Sequence, residues 1–373
     1  MDVGDYYALI SGERRGWNAT LVRSVLSAIE IPYAAAVSWR NRGFDSGRFR
    51  THAVKVPVIS VGNLTLGGTG KTPMVAWLAQ WLQNQHLQVT IVSRGYGGGR
   101  DGWNDEALEL QCTLPGVPHV QNRDRVLGAR QAIEEHHAQV IILDDGFQHR
   151  RIARDLDIVL IDGLSPFGFD HVFPRGALRE PCSGLARAHV IALSRADAVD
   201  EDTRDAIRQR AQAMAPQGLW LETAHQPIGW LMADQQSVAL SQLQNANVAA
   251  FCGIGNPQGF RHSLTRAGVQ IAAFREFPDH HPYSDQDMRS LDQWVEGLPQ
   301  HVDSVVCTHK DLVKLPSQKI AGKPLHALQI GLEVTQGEKA FTARLQHELA
   351  PWMEAHHGAT TSESTCRNWP KSA

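Results

Sequence analysis

The chain has 373 residues, of which 42% are hydrophobic and 20% are charged, as in ordinary globular proteins. This length suits two α/β lobes. The 36 lysines and arginines nearly balance the 39 aspartates and glutamates, so nucleic acid is not expected as a partner. The five cysteines are scattered without a C-x-x-C pair, which argues against a zinc cage and a disulfide framework.

The N-terminal region is predicted to form an amphipathic helix over residues 21–39, with polar side chains on one narrow face. Pro32 is expected to kink or split this helix. The longest apolar run, residues 31–39, is far shorter than the roughly 20 residues that a transmembrane helix needs. We therefore expect residues 1–50 to associate with a membrane without spanning it, and the polar residues 1–15 to contain no cleavable signal peptide.

Short β-branched runs alternate with helix-length segments after this region. Strands are predicted at 56–61, 89–93, 140–143 and 158–161, and a helix at 73–82. Such runs are typical of parallel strands that are buried on both faces. Their alternation with helices predicts a doubly wound, mainly parallel α/β lobe of the P-loop type over residues 51–220.

Strand patterns resume in the second half of the chain and predict a second, smaller α/β lobe over residues 221–350. The predicted strands are 248–252, 270–274, 302–307 and 328–334. The tail, residues 351–373, is rich in small and polar residues and is expected to be disordered.

The strongest chemical signature is the loop VGNLTLGGTGKTP, residues 61–73, between a predicted strand and a predicted helix. Glycines allow backbone N–H groups to turn toward phosphate oxygens, and the helix that follows presents its positive end to the same anion. Lys71 can reach the β- and γ-phosphates and the Thr72 hydroxyl can ligate Mg²⁺. The strict motif G-x-x-x-x-G-K-[ST] has glycine where this chain has Thr65. The order of strand, GKT and helix favours a nucleotide site over a glycine-rich turn without a ligand.

A second part of a nucleotide site is predicted where the apolar run VIIL ends in Asp144 and Asp145. In this Walker B arrangement a carboxylate holds Mg²⁺ directly or through water. The pattern does not decide between the two acids. Asp162 follows a similar strand and competes for the role, although a lone aspartate at a strand end is often a helix cap.

Eight stretches of the sequence resemble the tetraacyldisaccharide 4'-kinase family, the lipid A kinases of Gram-negative bacteria. They are SVGNLTLGGTGKTP (60–73), SRGYGG (93–98), DDGFQHRR (144–151), LDIVLIDG (156–163), LREP (178–181), FCGIGNPQGF (251–260), FPDHHPYSDQD (277–287) and THKDLVKL (308–315). Each stretch alone would be a weak signal. Together they follow the family's order over roughly residues 20–345 and form a specific pattern.

The resemblance implies a kinase that transfers the γ-phosphate of ATP to the 4'-hydroxyl of a tetraacyldisaccharide 1-phosphate, giving the 1,4'-bisphosphate precursor of lipid A. It implies Mg²⁺ as a cofactor and the acylated disaccharide and the membrane surface as partners. No obligate protein partner is expected. The implied location is peripheral, on the cytoplasmic face of the bacterial inner membrane.

The resemblance also implies roles for individual residues. Those implied to contact ATP are Thr65, Leu66, Gly67, Gly68, Thr69, Gly70, Lys71 and Thr72, and those implied at Mg²⁺ are Thr72, Asp144 and Asp145. Those implied in catalysis are Asp105, His280, Asp279, Arg179, Glu180 and Arg94. Asp105 matches the family's base, in the stretch NDEA where the family has Gly-Asp-Glu-Pro, and His280 would pair with it. A carboxylate held by histidine can accept the proton of an attacking hydroxyl, and arginines can stabilise a transferring phosphoryl group.

Other interpretations stay open from the residues alone. The stretch Thr308-His309-Lys310-Asp311 approximates the N/T-K-x-D guanine signature, with the lysine one place late, so a membrane-peripheral regulatory P-loop GTPase is the alternative function. A nucleotide-binding adaptor would need no catalytic base. Without the resemblance, adjacent Arg179 and Glu180 would be interpreted as a surface ion pair. A metal site at His280 and His281 lacks a third ligand at suitable spacing.

Overall fold

Thirteen strands form one sheet in the computed structural model, which describes residues 3–95, 105–234, 236–279, 281–315 and 317–360. The strands are β1 (Val58–Asn63), β2 (Val89–Ser93), β3 (His119–Gln121), β4 (Val140–Asp144), β5 (Leu156–Asp162), β6 (Val190–Ser194), β7 (Leu219–Met232), β8 (Ser237–Val238), β9 (Asn247–Cys252), β10 (Gln270–Glu276), β11 (Ser304–Thr308), β12 (Lys319–Ile320) and β13 (Lys323–Gln336). Their order is β10-β9-β11-β13-β7-β6-β5-β1-β4-β2-β3, with β8 paired to β7 and β12 to β13.

Ten α-helices accompany the sheet in these ranges. They are α1 (Val3–Ser11), α2 (Trp17–Asp45), α3 (Lys71–Asn84), α4 (Asp105–Thr113), α5 (Arg125–His136), α6 (Glu201–Met214), α7 (Pro257–Arg266), α8 (Asp285–Glu296), α9 (His309–Leu312) and α10 (Glu338–Thr360). Parallel pairing dominates at both ends of the sheet, which confirms the predicted α/β class. Every residue of β1, β2, β4, β5 and β6 is buried, which is why their sequences are mostly apolar and show no alternation of polar and apolar residues.

Two long strands, β7 and β13, join the parallel ladders of the two lobes. Each has 14 residues, and the two pair antiparallel with one another. β7 also pairs parallel with β6, and β13 pairs parallel with β11. The domain boundary expected near residue 220 stays a prediction, and that residue lies at the start of β7 within the continuous sheet.

The core of the first lobe includes the C-terminal helix. Ile59 of β1 belongs to the same buried cluster as Met74 of α3 and Phe341 of α10, while Val58 packs on the opposite face of the sheet. Further along α10, Leu349 and Met353 join that first cluster. Residues 351–360, which were expected to be disordered, continue the helix, and Met353 is the last of its residues to pack against this cluster in the described part of the chain. Residues 361–373 lie outside the described ranges.

Helix α2 is continuous over 29 residues, so Pro32, which was expected to kink or split it, does not split it. Pro32 removes one backbone hydrogen bond, but contacts on either side of it hold both halves to the first lobe. The Glu30 carboxylate accepts from the Val172 N–H at 2.6 Å, and the Tyr33 hydroxyl donates to the Arg179 carbonyl at 3.2 Å. By length and composition alone, α2 is the one described helix long and apolar enough to cross a membrane. The estimate from residues 31–39 counted only the uninterrupted apolar run.

Candidate active site

The phosphate loop connects the carboxyl end of β1 to the first turn of α3. Gly67 and Gly70 have φ angles of 97° and 84°, values that residues with a side chain rarely adopt. A Cβ at Gly70 would lie 2.5 Å from Ser194 Oγ and 2.6 Å from His225 Nε2. The loop is therefore closely backed by β6 and β7, and glycine is required at this position for both conformation and space.

Thr65 occupies the place of the motif's first glycine without disturbing the loop. It forms an antiparallel bridge with Leu178, and the next N–H, of Leu66, donates to the Ala177 carbonyl at 2.7 Å. Its carbonyl accepts from the Asn63 side chain at 2.8 Å. Because this strand-like backbone needs no positive φ, a threonine is tolerated where the strict motif has glycine.

Two cations converge on the carboxylate of Asp145. Lys71 Nζ lies 3.6 Å from Asp145 Oδ1 and 3.5 Å from Asn63 Oδ1. Arg179 Nη1 donates to both oxygens of Asp145, at 2.8 and 2.7 Å. Burial alone would raise the pKa of Asp145, but Lys71 and Arg179 hold it well below its ordinary value. Asp145 is thus a fixed negative charge that positions two cations beside the phosphate loop.

The end of β4 brings further charged groups to the same place. Asp144 is its last residue and is buried, and Asp145 follows with a φ of 55°, in the left-handed region that non-glycine residues rarely occupy. Arg125, also buried, stands at the start of α5. Burial lowers the pKa of Arg125, and the two carboxylates act in the opposite direction. A buried arginine and two acids therefore share one side of the site.

A cleft of roughly 900 Å³ contains these groups and separates the two lobes. Of the eight residues predicted to contact ATP, all but Thr65 line it. It is also lined by the predicted residues Arg94, Asp144, Asp145, Arg179 and Asp279. The second lobe contributes an apolar patch that includes Ile254, Phe260 and Ile330. A nucleotide has space in this cleft with phosphates on one wall and a flat apolar group on the other.

The predicted catalytic residues of the second lobe are only partly described. Asp279 lies next to the phosphate loop, because its carboxylate and the Gly67 backbone both lie against Gly255. His280 lies outside the described residues. Asp105 starts α4, but its side chain is also outside them. The predicted pairing of Asp105 with His280 stays a prediction.

Glu180 has a different environment from its neighbour Arg179. It is fully buried and bonds to three side chains, with Asn41 Nδ2 at 2.8 Å, Gln148 Nε2 at 3.0 Å and Arg187 Nη2 at 2.8 Å from its oxygens. It does not line the cleft. Glu180 therefore ties α2 to the segment that follows Asp145, which is a positioning contact and not a contact with reacting atoms.

Asp162, the competing candidate for Mg²⁺, is engaged in a contact between the lobes. Arg195 Nη1 lies 2.8 Å from Asp162 Oδ1, and Asn256 Nδ2 donates to Asp162 Oδ2 at 2.7 Å. Arg195 also donates to the Gly68 carbonyl at 2.9 Å. The structure therefore favours Asp144 and Asp145 over Asp162 at the phosphate site.

Sequence reasoning missed several cleft residues, among them His149, His225 and Arg195. His149 is half-buried, and burial followed by Arg125 lowers its pKa to about 4. His225 is buried behind Gly70, and Arg195, identified above, binds the loop. His149 stands in the recognised stretch DDGFQHRR and could have been found there. His225 belongs to β7, which no local pattern predicted.

Of the four residues that suggested a guanine signature, Thr308, His309 and Lys310 line the cleft, whereas Asp311 is held within the second lobe. The Asp311 carboxylate accepts from the Gly253 N–H at 3.1 Å, the Tyr283 hydroxyl at 2.9 Å and the Thr308 hydroxyl at 2.6 Å. Asp311 is fully buried, and burial raises its pKa. Since it is turned into the protein and does not line the cleft, the GTPase alternative is not favoured.

The site combines a phosphate loop, a strand that leads into two acids, and two cations that are held by the second acid, Asp145. These features define a P-loop phosphotransferase. The family model for tetraacyldisaccharide-1-P 4'-kinase matches residues 22–350. The chain belongs to the tetraacyldisaccharide 4'-kinase family.

Individual relatives agree with this assignment. The chain is 36% identical to the tetraacyldisaccharide 4'-kinase of Desulfatibacillum aliphaticivorans over 86% of this chain and 92% of that one. It is also 36% identical to that of Anaeromyxobacter dehalogenans strain 2CP-C, over 89% and 92%. A crystal structure described as the apo form of LpxK from Aquifex aeolicus in complex with ATP superposes with a TM-score of 0.66. That protein is 30% identical, and the match covers 89% of this chain and 99% of the other.

Proposed function

We propose that this kinase transfers the γ-phosphate of ATP to the 4'-hydroxyl of a membrane-held tetraacyldisaccharide 1-phosphate. One observation carries the proposal: the phosphate cleft and an exposed apolar surface share an edge. Helix α2 lines the cleft with Tyr33 and Val37 and exposes apolar side chains along its outer side. A lipid whose acyl chains rest on that outer side can present its sugar to the phosphate loop.

In the proposed reaction the 4'-oxygen forms a bond to the γ-phosphorus while the bond from that phosphorus to the β-phosphate oxygen breaks. Lys71 and Arg179 lie where negative charge develops, and Asp145 keeps both in place before substrate arrives. Such preorganised cations stabilise the transition state without having to move.

Mg²⁺ fits the oxygen donors at this site. It keeps several waters and needs only one or two carboxylates in addition to phosphate oxygens. Arg179 occupies both oxygens of Asp145, so Asp144 and the Thr72 hydroxyl are the proposed ligands. When bound, the ion neutralises charge on the phosphates.

Asp105 is proposed to accept the proton of the 4'-hydroxyl, with His280 holding it. Groups that act as a unit show strongly non-additive losses. The losses in kcat of Asp105→Ala and His280→Ala should therefore not multiply in the double variant. A double variant whose defect equals the product of the two single defects would show independent action.

The membrane location is proposed to be peripheral, with α2 in the interface. The polar side of α2 is held to the first lobe by Glu30 and Tyr33, so the helix cannot cross a bilayer without leaving that surface. Its outer side exposes a row of apolar side chains. They are Trp17, Leu21, Val22, Val25, Ile29, Ile31 and Trp39. The proposed surface is the cytoplasmic face of the bacterial inner membrane.

Two measurements test these proposals. Purified protein should consume ATP only when the disaccharide 1-phosphate lipid is added, and the product should carry a new phosphate at the 4' position by mass spectrometry. ATP turnover that is indifferent to the lipid, with no phosphorylated lipid formed, would reject the acceptor.

The second measurement concerns α2. Val25 and Ile29 are 52% and 49% exposed, so replacing both with aspartate should preserve folding and ATP binding but release the protein from anionic vesicles. Ala206→Asp with Gln209→Asp, at exposed positions of α6, adds the same charge elsewhere and is the control. Unchanged sedimentation of the α2 variant with vesicles would place the membrane contact elsewhere. Resistance of the wild-type protein to alkaline extraction would favour a spanning helix.

A further inference from the structure

One side of helix α2 forms a wall of the phosphate cleft. Tyr33, Val37 and Arg40 line it at helical spacing, which places them on one side of the helix. Tyr33 lies beside the Arg179 carbonyl, and Arg40 lies beside the Gln148 carbonyl. An acceptor that enters from the apolar surface of α2 must pass this wall before its reacting hydroxyl reaches the phosphate loop.

Arg40 differs from Lys71, Arg179 and Arg195, three other cations of the cleft, because no carboxylate balances it. Lys71 and Arg179 share Asp145, and Arg195 pairs with Asp162. Arg40 instead donates to the Gln148 carbonyl at 3.4 Å and to the Asn41 side chain at 3.5 Å, both near the limit for a hydrogen bond. Across the described ranges no acidic side chain lies within ion-pair distance of it.

The guanidinium of Arg40 also has an unused donor. Its Nε is buried, and no hydrogen-bond acceptor for it occurs in the described part of the chain. Buried donors in native proteins are nearly always bonded. The buried Nε is not accessible from the cleft, but the loosely held Nη groups are donors of the planar guanidinium that suits a phosphate group.

We infer that Arg40 binds the phosphate that the acceptor already carries at its 1 position. This inference rests on the proposed function, in which the acceptor is a disaccharide with a phosphate at one end and the reacting 4'-hydroxyl at the other. Lys71 and Arg179 serve the phosphates of the nucleotide, so the second anion needs a cation of its own. Arg40 is then a specificity-determining residue that selects a phosphorylated acceptor and sets its orientation.

The test compares two acceptors in neutral detergent micelles: the tetraacyldisaccharide 1-phosphate and the same lipid without its phosphate. Losing a hydrogen-bonded ion pair of this kind should raise KM at least about tenfold. Arg40→Gln is therefore expected to raise KM for the phosphorylated acceptor by that factor. KM for the dephosphorylated acceptor and for ATP should stay near the wild-type value. Arg40→Lys, which keeps the charge without the fork, should lie between wild type and Arg40→Gln.

Arg42→Gln is the matched control, because it removes the same charge from an exposed position on the same helix outside the cleft. Any effect that both variants share reflects general electrostatics and not binding of the acceptor phosphate. Thermal melting checks that each variant is folded before its kinetics are interpreted.

Several results would overturn the inference. An equal loss on both acceptors would mean that Arg40 acts through Gln148 on the reacting groups. No change on either acceptor would mean that water satisfies Arg40. Selective loss in Arg123→Gln and not in Arg40→Gln would assign the acceptor phosphate to another residue of the cleft. Wild-type protein that phosphorylates neither lipid would reject the proposed function itself, which distinguishes that failure from the other three.

Discussion

Aspartates follow two parallel strands on opposite sides of the cleft, and the two places differ in what surrounds the carboxylate. After β4, Asp145 faces Lys71 and Arg179 and lines the cleft. After β11, Asp311 is enclosed by neutral donors, among them the hydroxyl of Tyr283 and the N–H of Gly253. Cations hold the pKa of Asp145 below its ordinary value, whereas burial raises that of Asp311.

This contrast shows that a position at a strand end does not by itself give an acid a role. A carboxylate with two cationic partners holds those cations, already desolvated and oriented, where an incoming phosphate can bind them. A carboxylate surrounded by backbone and hydroxyl donors fixes the local structure instead. The β4 end should therefore control activity, and the β11 end should control stability.

The largest expected effect is on the β4 side. Lys71→Ala should lower kcat by about 10²- to 10³-fold or more, because it removes a cation from the position where the phosphoryl charge develops. Lys310→Ala, which removes a lysine from the β11 side of the cleft, should cost far less. Steady-state kinetics on folded protein measure both. Near-normal turnover of Lys71→Ala would contradict the kinase assignment, and equal losses would remove the contrast between the two sides.

The next prediction compares the two aspartates, one by its effect on activity and the other by its effect on stability. Asp145→Asn should lower kcat by about 10²-fold with little change in melting temperature, because the side chain is partly exposed and its loss frees two cations that must be held in place. Asp311→Ala should instead destabilise the protein by about 1–3 kcal/mol, because it leaves buried donors without an acceptor. Thermal melting and kcat per folded molecule separate the two. A stable Asp311→Ala variant that lacks activity would show that the β11 end takes part in the reaction.

The smallest expected effect concerns one histidine on each side of the cleft, His149 and His309, whose pKa values are lowered alike. Burial lowers the pKa of His309 from 6.5 to about 4, and burial with Arg125 does the same for His149. The unfolded chain takes up these protons first, so their contribution to stability falls as the pH falls from about 6.5 to about 4. His309→Asn and His149→Asn should each flatten the dependence of melting temperature on pH within that window. An unchanged slope in both variants would contradict this origin of the acid sensitivity.

Local patterns in the sequence were sufficient where the structure is local. The buried strands β1, β2, β4 and β5 appear as apolar runs, and the phosphate loop combines all its determinants within residues 61–73. The residues that escaped prediction depend on distant contacts. Glu180 was implied to be catalytic by the resemblance and, without it, would be interpreted as half of a surface ion pair; its contacts with Asn41 and Gln148, far away in the chain, follow from neither.

Dependence on distant contacts also explains why β7 was not predicted and why the sequence pattern alone does not distinguish Asp145 from Asp311. β7 pairs parallel with β6 and antiparallel with β13, and it is buried along most of its length. It also carries buried polar residues such as His225, so its sequence lacks a simple apolar period. Asp145 and Asp311 each follow an apolar strand, and only the arrival of Arg179 or Tyr283 from elsewhere distinguishes them. Pro32 misled for a related reason, because tertiary contacts outweighed a local helix breaker.

Helix α10 has a consequence for how the protein is made. Phe341, Leu345 and Leu349 complete the cluster that contains Ile59 and Val75, so the first lobe shares its core with residues synthesised nearly 300 positions later. Domains generally fold as units while the chain leaves the ribosome from its N-terminus. In this chain the first lobe is the first to be synthesised but the last to be completed, because the second lobe leaves the ribosome before α10 does. The nascent phosphate-loop lobe must wait with part of its apolar surface uncovered, and a chain truncated before residue 338 is expected to accumulate as aggregated protein.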